Sequence, residues 1–293
     1  LCLRPGARLT RYSSMKKFPS IPRVASAPDE LFEEGHLWIL EKVDGANFRF
    51  RLQESGLIHF GDRSNVYDDP AAVPDPYHHA VRHVQTNLDR GALRGAVDDV
   101  RDIVFFGEAM HRHTIDYDWD QTPSFLGFDI WSDDAGAFLD PGVAAQIFER
   151  LDLQPVNSIE RELPARDFDP DRFAVPGSAW YDGPAEGVVI RNKRGQRAKL
   201  LHPEFQEVDE TVPVDAPAED LATKYATDHR FEKIVSKLED RGEPATFETL
   251  YERVLEDILR EEHKQLCHGG ATIEMDSFRS EVAALTREFV DAR

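Results

Sequence analysis

Cysteine is nearly absent: Cys2 and Cys267 are the only two in 293 residues. That excludes a disulfide framework and a cysteine-based zinc site, and it fits a reducing cytoplasm. Long apolar runs are missing as well. The longest, such as "DIVFF" and "FLGFDIW", fall far short of the roughly 20 residues a membrane span needs, so a soluble protein with no membrane partner is expected. The chain has no phosphate-binding P-loop, no dinucleotide fingerprint and no internal repeat. Positive charge is scarce, with 35 Lys and Arg against 55 Asp and Glu and a formal charge of -20. Taken alone, such a balance argues against a partner with a phosphate backbone, because self-repulsion weakens encounter.

The average hides local bias. No acidic residue occurs from Leu1 to Pro28, where Arg4, Arg8, Arg11, Lys16, Lys17 and Arg23 cluster, and Arg191, Lys193, Arg194, Arg197 and Lys199 lie between Glu186 and Glu204 with no acid among them. Each run suits either a solvated face or a nucleic-acid contact. Acid spread over the rest suggests a halophilic surface, hydrated by carboxylates in a high-salt cytoplasm. Hydrophobic residues make up 41% of the chain, enough to bury a sizeable core in one large domain, or in one with a small second domain. The chain opens on leucine and "MKKFPSIPR" begins at Met15; residues 1–14 lack the apolar stretch of a secretory signal and read as an extension of no structural weight.

"LWILEK", "NFRFRLQ" and "LIHF", between residues 37 and 60, predict three strands, the second half-buried because Phe48 and Phe50 alternate with Arg49 and Arg51. "PYHHAVRHVQTNLDRGAL" predicts a helix, "IVFFGE" and "SFLGFDIW" predict strands, and "VAAQIFERLDL" predicts a helix entered at Pro141 and Gly142. "EGVVIRN" and "QRAKLL" predict a hairpin across "KRG". Beyond the acidic, proline-bearing "TVPVDAPAED" the texture changes to helical periodicity, at about 219–240, from Phe247 to Leu266 and at 276–291. This last part carries 19 acidic against 11 basic residues from Thr211 onward, so it is no obvious basic clamp. The expected organisation is an extension over 1–14, a catalytic domain over 15–210 and a small all-α domain over 211–293.

"LEKVDGANFRF" sets Lys42 and Asp44 two apart in an otherwise apolar run. A salt-bridged pair at a strand end is one reading. The other is a nucleophile: an amine attacks only when unprotonated, so it needs desolvation or neighbouring cations, among them a bound divalent metal, to lower its proton affinity. Lys-x-Asp-Gly alone decides little, since three fixed residues arise by chance in roughly 4% of chains this long. The order of charged and aromatic residues downstream decides more. Arg63 stands in "GDRSN", Glu108 ends "FFGE", Phe128 lies in "FLGFDIW", Glu186 opens "EGVVIRN", and Arg197 and Lys199 share one face of "RAKL".

That series resembles the covalent nucleotidyltransferase superfamily of ATP-dependent ligases and capping enzymes. The Asn47 of "EKVDGAN", the "GE" of "FFGEAM" and the "KKFPSI" opening are similar to the RNA ligase 2-like family in particular. The resemblance implies an α+β fold, an antiparallel-sheet, ATP-grasp-like ligase core with ATP between its sheets, followed by a small helical domain. It implies an ATP-dependent RNA ligase of RNA repair that takes AMP onto Lys42, passes it to an RNA 5′-phosphate and joins that end to a 3′-hydroxyl, at nicked or paired ends. Asp44 and Asn47 would orient the lysine region, the nucleotide or the RNA end. Arg63 would lie near the phosphates, Glu108 would bind ribose or help hold Mg²⁺ or Mn²⁺, Phe128 would stack on adenine, and Glu186 would help hold the metal. Lys199 and Arg197 would neutralise the α-phosphate and pyrophosphate side. The family has lysine where Arg197 stands, and a guanidinium keeps the charge but donates no proton at neutral pH.

The rival readings are a DNA ligase or a GTP-dependent capping enzyme, both of which carry an OB-fold that is not readable after residue 210, and an inactive RNA-binding relic. "HRHTIDYDWD" offers His111, His113, Asp116 and Asp118, either as alternating metal ligands lacking a further fixed partner or as a surface loop or RNA contact.

Overall fold

The computed structural model describes residues 15–205, 216–267 and 274–293. The expected extension over 1–14 and the boundary at 210/211 lie outside the described residues. The strands are β1 (His36–Lys42), β2 (Ala46–Leu52), β3 (Ile58–Gly61), β4 (Val66–Tyr67), β5 (Ile103–Ala109), β6 (Phe125–Ser132), β7 (Ala137–Phe138), β8 (Ser158–Pro164), β9 (Gly187–Asn192) and β10 (Arg197–Leu201). The helices are α1 (Glu30–Glu33), α2 (His78–Asn87), α3 (Arg90–Ala96), α4 (Pro141–Arg150), α5 (Ala218–Tyr225), α6 (Asp228–Asp240), α7 (Phe247–Glu261), α8 (His263–Leu266) and α9 (Met275–Asp291).

The strands form two antiparallel sheets, one in the order β10-β9-β1-β8 and one in the order β4-β3-β2-β5-β6-β7. Phe48, Phe50 and Phe105 of the larger sheet pack with Val84 of α2, Leu93 of α3 and Phe148 of α4, all of them buried. Ile39, Val188 and Ile190 of the smaller sheet pack with Leu31 of α1 and Phe168. After β10 the described elements are helical, and α5, α6, α7 and α9 bury a core of their own around Phe231, Val254, Ile258 and Phe278. The antiparallel α+β core and the helical C-terminal region are therefore as expected.

Local chemistry accounts for the helix boundaries. Asp140 accepts from the Gly142 amide with Pro141 at the first position of α4, Thr227 caps α6 through Arg230 N, and Thr246 caps α7 through Thr249 N. The single helix predicted over "PYHHAVRHVQTNLDRGAL" is two, because Leu88 leaves helical geometry and the Asp89 side chain caps α3 through Ala92 N.

One further expectation needs correction, and one strand goes beyond those predicted. β2 is not half-buried: Arg49 is 0% exposed, because the segment after β3 folds over that face and Asn65 O accepts from Arg49 Nη2 at 3.3 Å. β8 has no apolar run to announce it. It is an edge strand with an exposed centre, and it is held by backbone pairing to β1.

Candidate active site

The apolar residues Leu37–Leu40 carry β1 through the core, and the strand ends on Glu41 and Lys42. The chain then turns at Val43–Gly45 and enters β2 in the other sheet. Gly45 makes that crossing possible, since a Cβ there would lie 2.5 Å from Ala109 O and 3.0 Å from Glu108 Cγ. Glycine is required by close backbone approach. A cleft of about 720 Å³ opens where the two sheets meet, and all nine candidate residues, from Lys42 to Lys199, line it.

Lys42 Nζ donates to both oxygens of Glu186 at 2.6 Å. The register explains the meeting: Lys42 pairs with Gly187 across β1 and β9, so Glu186 emerges beside the amine. Desolvation opposes the ammonium, but the charges of Glu186 and Glu108 outweigh it and hold Lys42 above the usual lysine range. The lowered proton affinity expected of the nucleophile is thus not a property of the protein by itself. The cations that would lower it are a ligand's to bring. Burial pushes the Glu186 carboxyl up, against the pull of Lys42, and pushes Glu108 up to about 8. Lys199, desolvated and repelled by Lys42, is held below the usual lysine range.

Asp44 is buried beneath the turn. Its Oδ2 accepts from the amides of Thr114 at 2.6 Å and Ile115 at 2.8 Å, and its own amide donates to the Tyr117 hydroxyl at 2.8 Å. His113 lies 3.4 Å from Oδ1. Against desolvation, the bonds from His113 and the two amides keep Asp44 below the usual carboxylate range, while Asp44 raises His113. Asn47 opposes Glu108 across β2 and β5, and its Oδ1 is buried with no hydrogen-bond partner among the described residues. That acceptor suits a donor brought by a ligand. Arg63 is exposed at the rim, where Nη2 donates to Ser20 Oγ at 3.2 Å.

A bulge builds the opposite wall. Phe106 pairs with Asp129 and Gly107 with Gly127, so Phe128 has no opposite number, and consecutive residues Phe128 and Asp129 both line the cleft. Phe18, from the segment beside β10, meets Phe128 edge-on at 4.9 Å. Asp129 is 1% exposed and receives Arg191 at 2.9 Å and Arg197 at 2.5 Å, two cross-strand neighbours of the other sheet. Arg197 also lies over the Phe138 ring at 4.3 Å. Its guanidinium ties the two sheets together, whereas Lys199, two residues on, has no side-chain partner among the described residues.

Sequence reasoning did not assign Asp129, His113 or Phe18 to the site, and it left Arg191 open as an RNA contact. Arg191 is buried at 1% exposure and serves Asp129. The candidate metal group disperses: His111 stacks on His263 at 3.8 Å, His113 faces Asp44, Asp116 accepts from Trp119 Nε1 at 2.8 Å, and Asp118 accepts from Gln121. Among the described residues no three His, Cys, Asp or Glu side chains form a metal cluster. Glu108 and Glu186 are both carboxylates lining the cleft, donors of the kind a hard divalent cation takes.

The family model described as RNA ligase matches residues 35–202, which includes every one of the nine candidate residues. No curated protein sequence matches. Among solved structures the chain is similar to an archaeal ATP-dependent RNA ligase, at 17% identity over 94% of this chain and 66% of that one, TM-score 0.49. It is also similar to the Naegleria gruberi RNA ligase with pyrophosphate, at 17% identity over 70% and 63%, TM-score 0.50. A mutant of the Naegleria gruberi enzyme with ATP and manganese matches at 15% identity over 65% and 57%, TM-score 0.51. The chain spans less than two thirds of each of these relatives, and at such identities the likeness is one of fold. No described helix is long and apolar enough to cross a membrane. With a family match over more than half its length, on the strands that carry the cleft, the chain belongs to the RNA ligase family.

Proposed function

We propose that the protein is an ATP-dependent RNA ligase that works through a covalent adenylate on Lys42. The observation that carries this reading is the Lys42 amine in the cleft, 2.6 Å from Glu186 and beside Glu108 and Lys199. In the first step the Lys42 ammonium leaves its contact with Glu186 and releases its proton to water. The Nζ then forms a bond to the α-phosphorus of ATP as the bond from that phosphorus to the bridging oxygen breaks, and pyrophosphate leaves. Next an oxygen of an RNA 5′-phosphate bonds to the same phosphorus, the N–P bond breaks and the amine regains a proton. Last, the oxygen of an RNA 3′-hydroxyl, losing its proton, attacks the activated 5′-phosphate and AMP departs.

Phosphoryl transfer of this kind depends on in-line positioning and on cations against developing charge. Lys199 and Arg63 would face phosphate oxygens, Phe128 would cover the adenine, and Asn47 would accept from the nucleotide or RNA end. Arg197 acts at one remove, by fixing Asp129 and the bulge beneath the nucleotide. Glu108 and Glu186 would hold Mg²⁺ or Mn²⁺, which supplies charge neutralisation for the triphosphate when bound. The helical region after β10, with its own core, supports an RNA ligase rather than a DNA ligase or a capping enzyme, which need an OB-fold there. We take 15–210 as the catalytic domain and 211–293 as a second domain. The substrate we propose is RNA with 5′-phosphate and 3′-hydroxyl ends, nicked or paired, repaired in a high-salt cytoplasm to which a charge of -20 is suited. Sealing of a nicked RNA duplex with ATP and magnesium, at low and at molar salt, tests it; no sealing at either would refute it.

A further inference from the structure

The loop over residues 110–123, which holds Asp44, is itself held by the helical region: Lys233 and Lys237 reach Asp120, His263 stacks on His111, and Arg260 reaches both ends. Arg260 on α7 donates from Nε to Met110 O at 2.9 Å, from Nη2 to Thr122 O at 2.6 Å and to Pro123 O at 3.3 Å, and from Nη1 to Trp119 O at 3.4 Å. Its guanidinium lies 5.0 Å from the Trp119 ring centroid, and its own carbonyl accepts from Arg112 N at 2.8 Å. One planar fork thus closes both ends of the loop, a task an ammonium cannot repeat. Between those ends, Thr114 N, Ile115 N and the Tyr117 hydroxyl grip Asp44, two residues from Lys42.

We propose that Arg260 is a positioning residue for the nucleophile: by closing the 110–123 loop it fixes Asp44 and the Val43–Gly45 turn, and so couples docking of the helical region to attack by Lys42. The inference rests on the proposed function for its catalytic consequence, but not for its structural one. Docking as such is secured elsewhere, by Arg82 on Glu256 at 2.8 Å and by Arg279 on Asp75, neither of which touches the loop. Burial lowers the Arg260 guanidinium to about 10, so a cation is kept there against a desolvation cost, which many carbonyl contacts offset. Misplacement of a reacting group by about 1 Å costs on the order of a hundredfold in rate, which is why so small a brace matters.

The test combines amide hydrogen exchange at Thr114 and Ile115 with the rate of AMP transfer from ATP to the full chain, in Arg260→Lys, Arg260→Gln and Arg82→Gln. Arg260→Lys keeps charge and bulk and is the decisive variant if Arg260→Gln fails to fold. It should speed exchange of the two amides about tenfold and slow AMP transfer about tenfold at unchanged KM for ATP. Arg82→Gln should do neither. In an Asp44→Asn background Arg260→Lys should slow transfer by much less than tenfold, since both changes act through one contact. Unchanged exchange in Arg260→Lys, or equal acceleration in Arg82→Gln, overturns the proposal. Wild-type chain that takes no AMP overturns the proposed function instead, and the exchange result still decides the role of Arg260.

Discussion

Lys42 Nζ and the Glu186 carboxylate stand 2.6 Å apart, although 144 positions separate them in the chain. The pair sits at the end of the β1–β9 ladder, where Lys42 opposes Gly187. Without ligand Lys42 is therefore held as an ammonium, and in the proposed mechanism breaking this contact is part of its activation.

Glu186→Gln should release the amine. Glu186 raises the proton affinity of Lys42, so its loss enlarges the neutral fraction at a given pH. An amine-directed reagent at pH 8.5, with the Lys42 peptide quantified, should react faster in the variant, because the neutral fraction of the amine is larger. Equal rates would count against the stored-ammonium state.

Glu108 makes a prediction about stability. Burial raises its carboxyl from 4.5 to about 8, so the folded chain holds a proton that the unfolded chain releases. A raised folded value means a contribution fully present below the unfolded pKa and lost as pH climbs through the folded one. Glu108→Gln has no such proton to lose. It should melt close to wild type at pH 4 and about 2–4 °C above it at pH 8.5, in the absence of divalent metal. A pH-independent difference would contradict this assignment.

Asp129 ties the sheets, and Asp129→Ala leaves Arg191 and Arg197 buried beside each other without a counter-charge. The expected cost is about 3–5 kcal/mol by denaturant unfolding. Arg197→Lys should recover only part of the loss seen in Arg197→Ala, because one ammonium cannot both reach Asp129 and stack on Phe138. Full recovery would make charge alone sufficient.

Phe128→Ala should raise KM for ATP about three- to tenfold with a smaller effect on kcat, as loss of one ring contact does. A fall in kcat at constant KM would move Phe128 from binding to chemistry.

Much of this was legible in the sequence, for identifiable reasons. β1, β2, β5, β6, β9 and β10 are announced by short apolar or alternating runs. The order of Lys42, Arg63, Glu108, Phe128, Glu186 and Lys199 carried the site, since each stands at a strand end, on a strand face or just beyond a strand. What was hidden depends on register and on contacts distant in sequence. A bulge is one residue of mismatch between two strands, so nothing local places Asp129 beside Phe128 in the cleft. Arg191 looked like a surface charge because its counter-ion is 62 residues away in another sheet, and Arg49 because the segment that covers it comes after a turn. The His111–His113 stretch suggested metal ligands by composition, whereas the backbone amides just beyond it hold Asp44.

The most direct test of the central claim is transfer of label from α-labelled ATP, with a divalent cation, to the denatured and resolved polypeptide. Wild type should carry close to one AMP per chain, and Lys42→Ala none. Label that persists in Lys42→Ala, or that comes from GTP and not from ATP, would contradict the account.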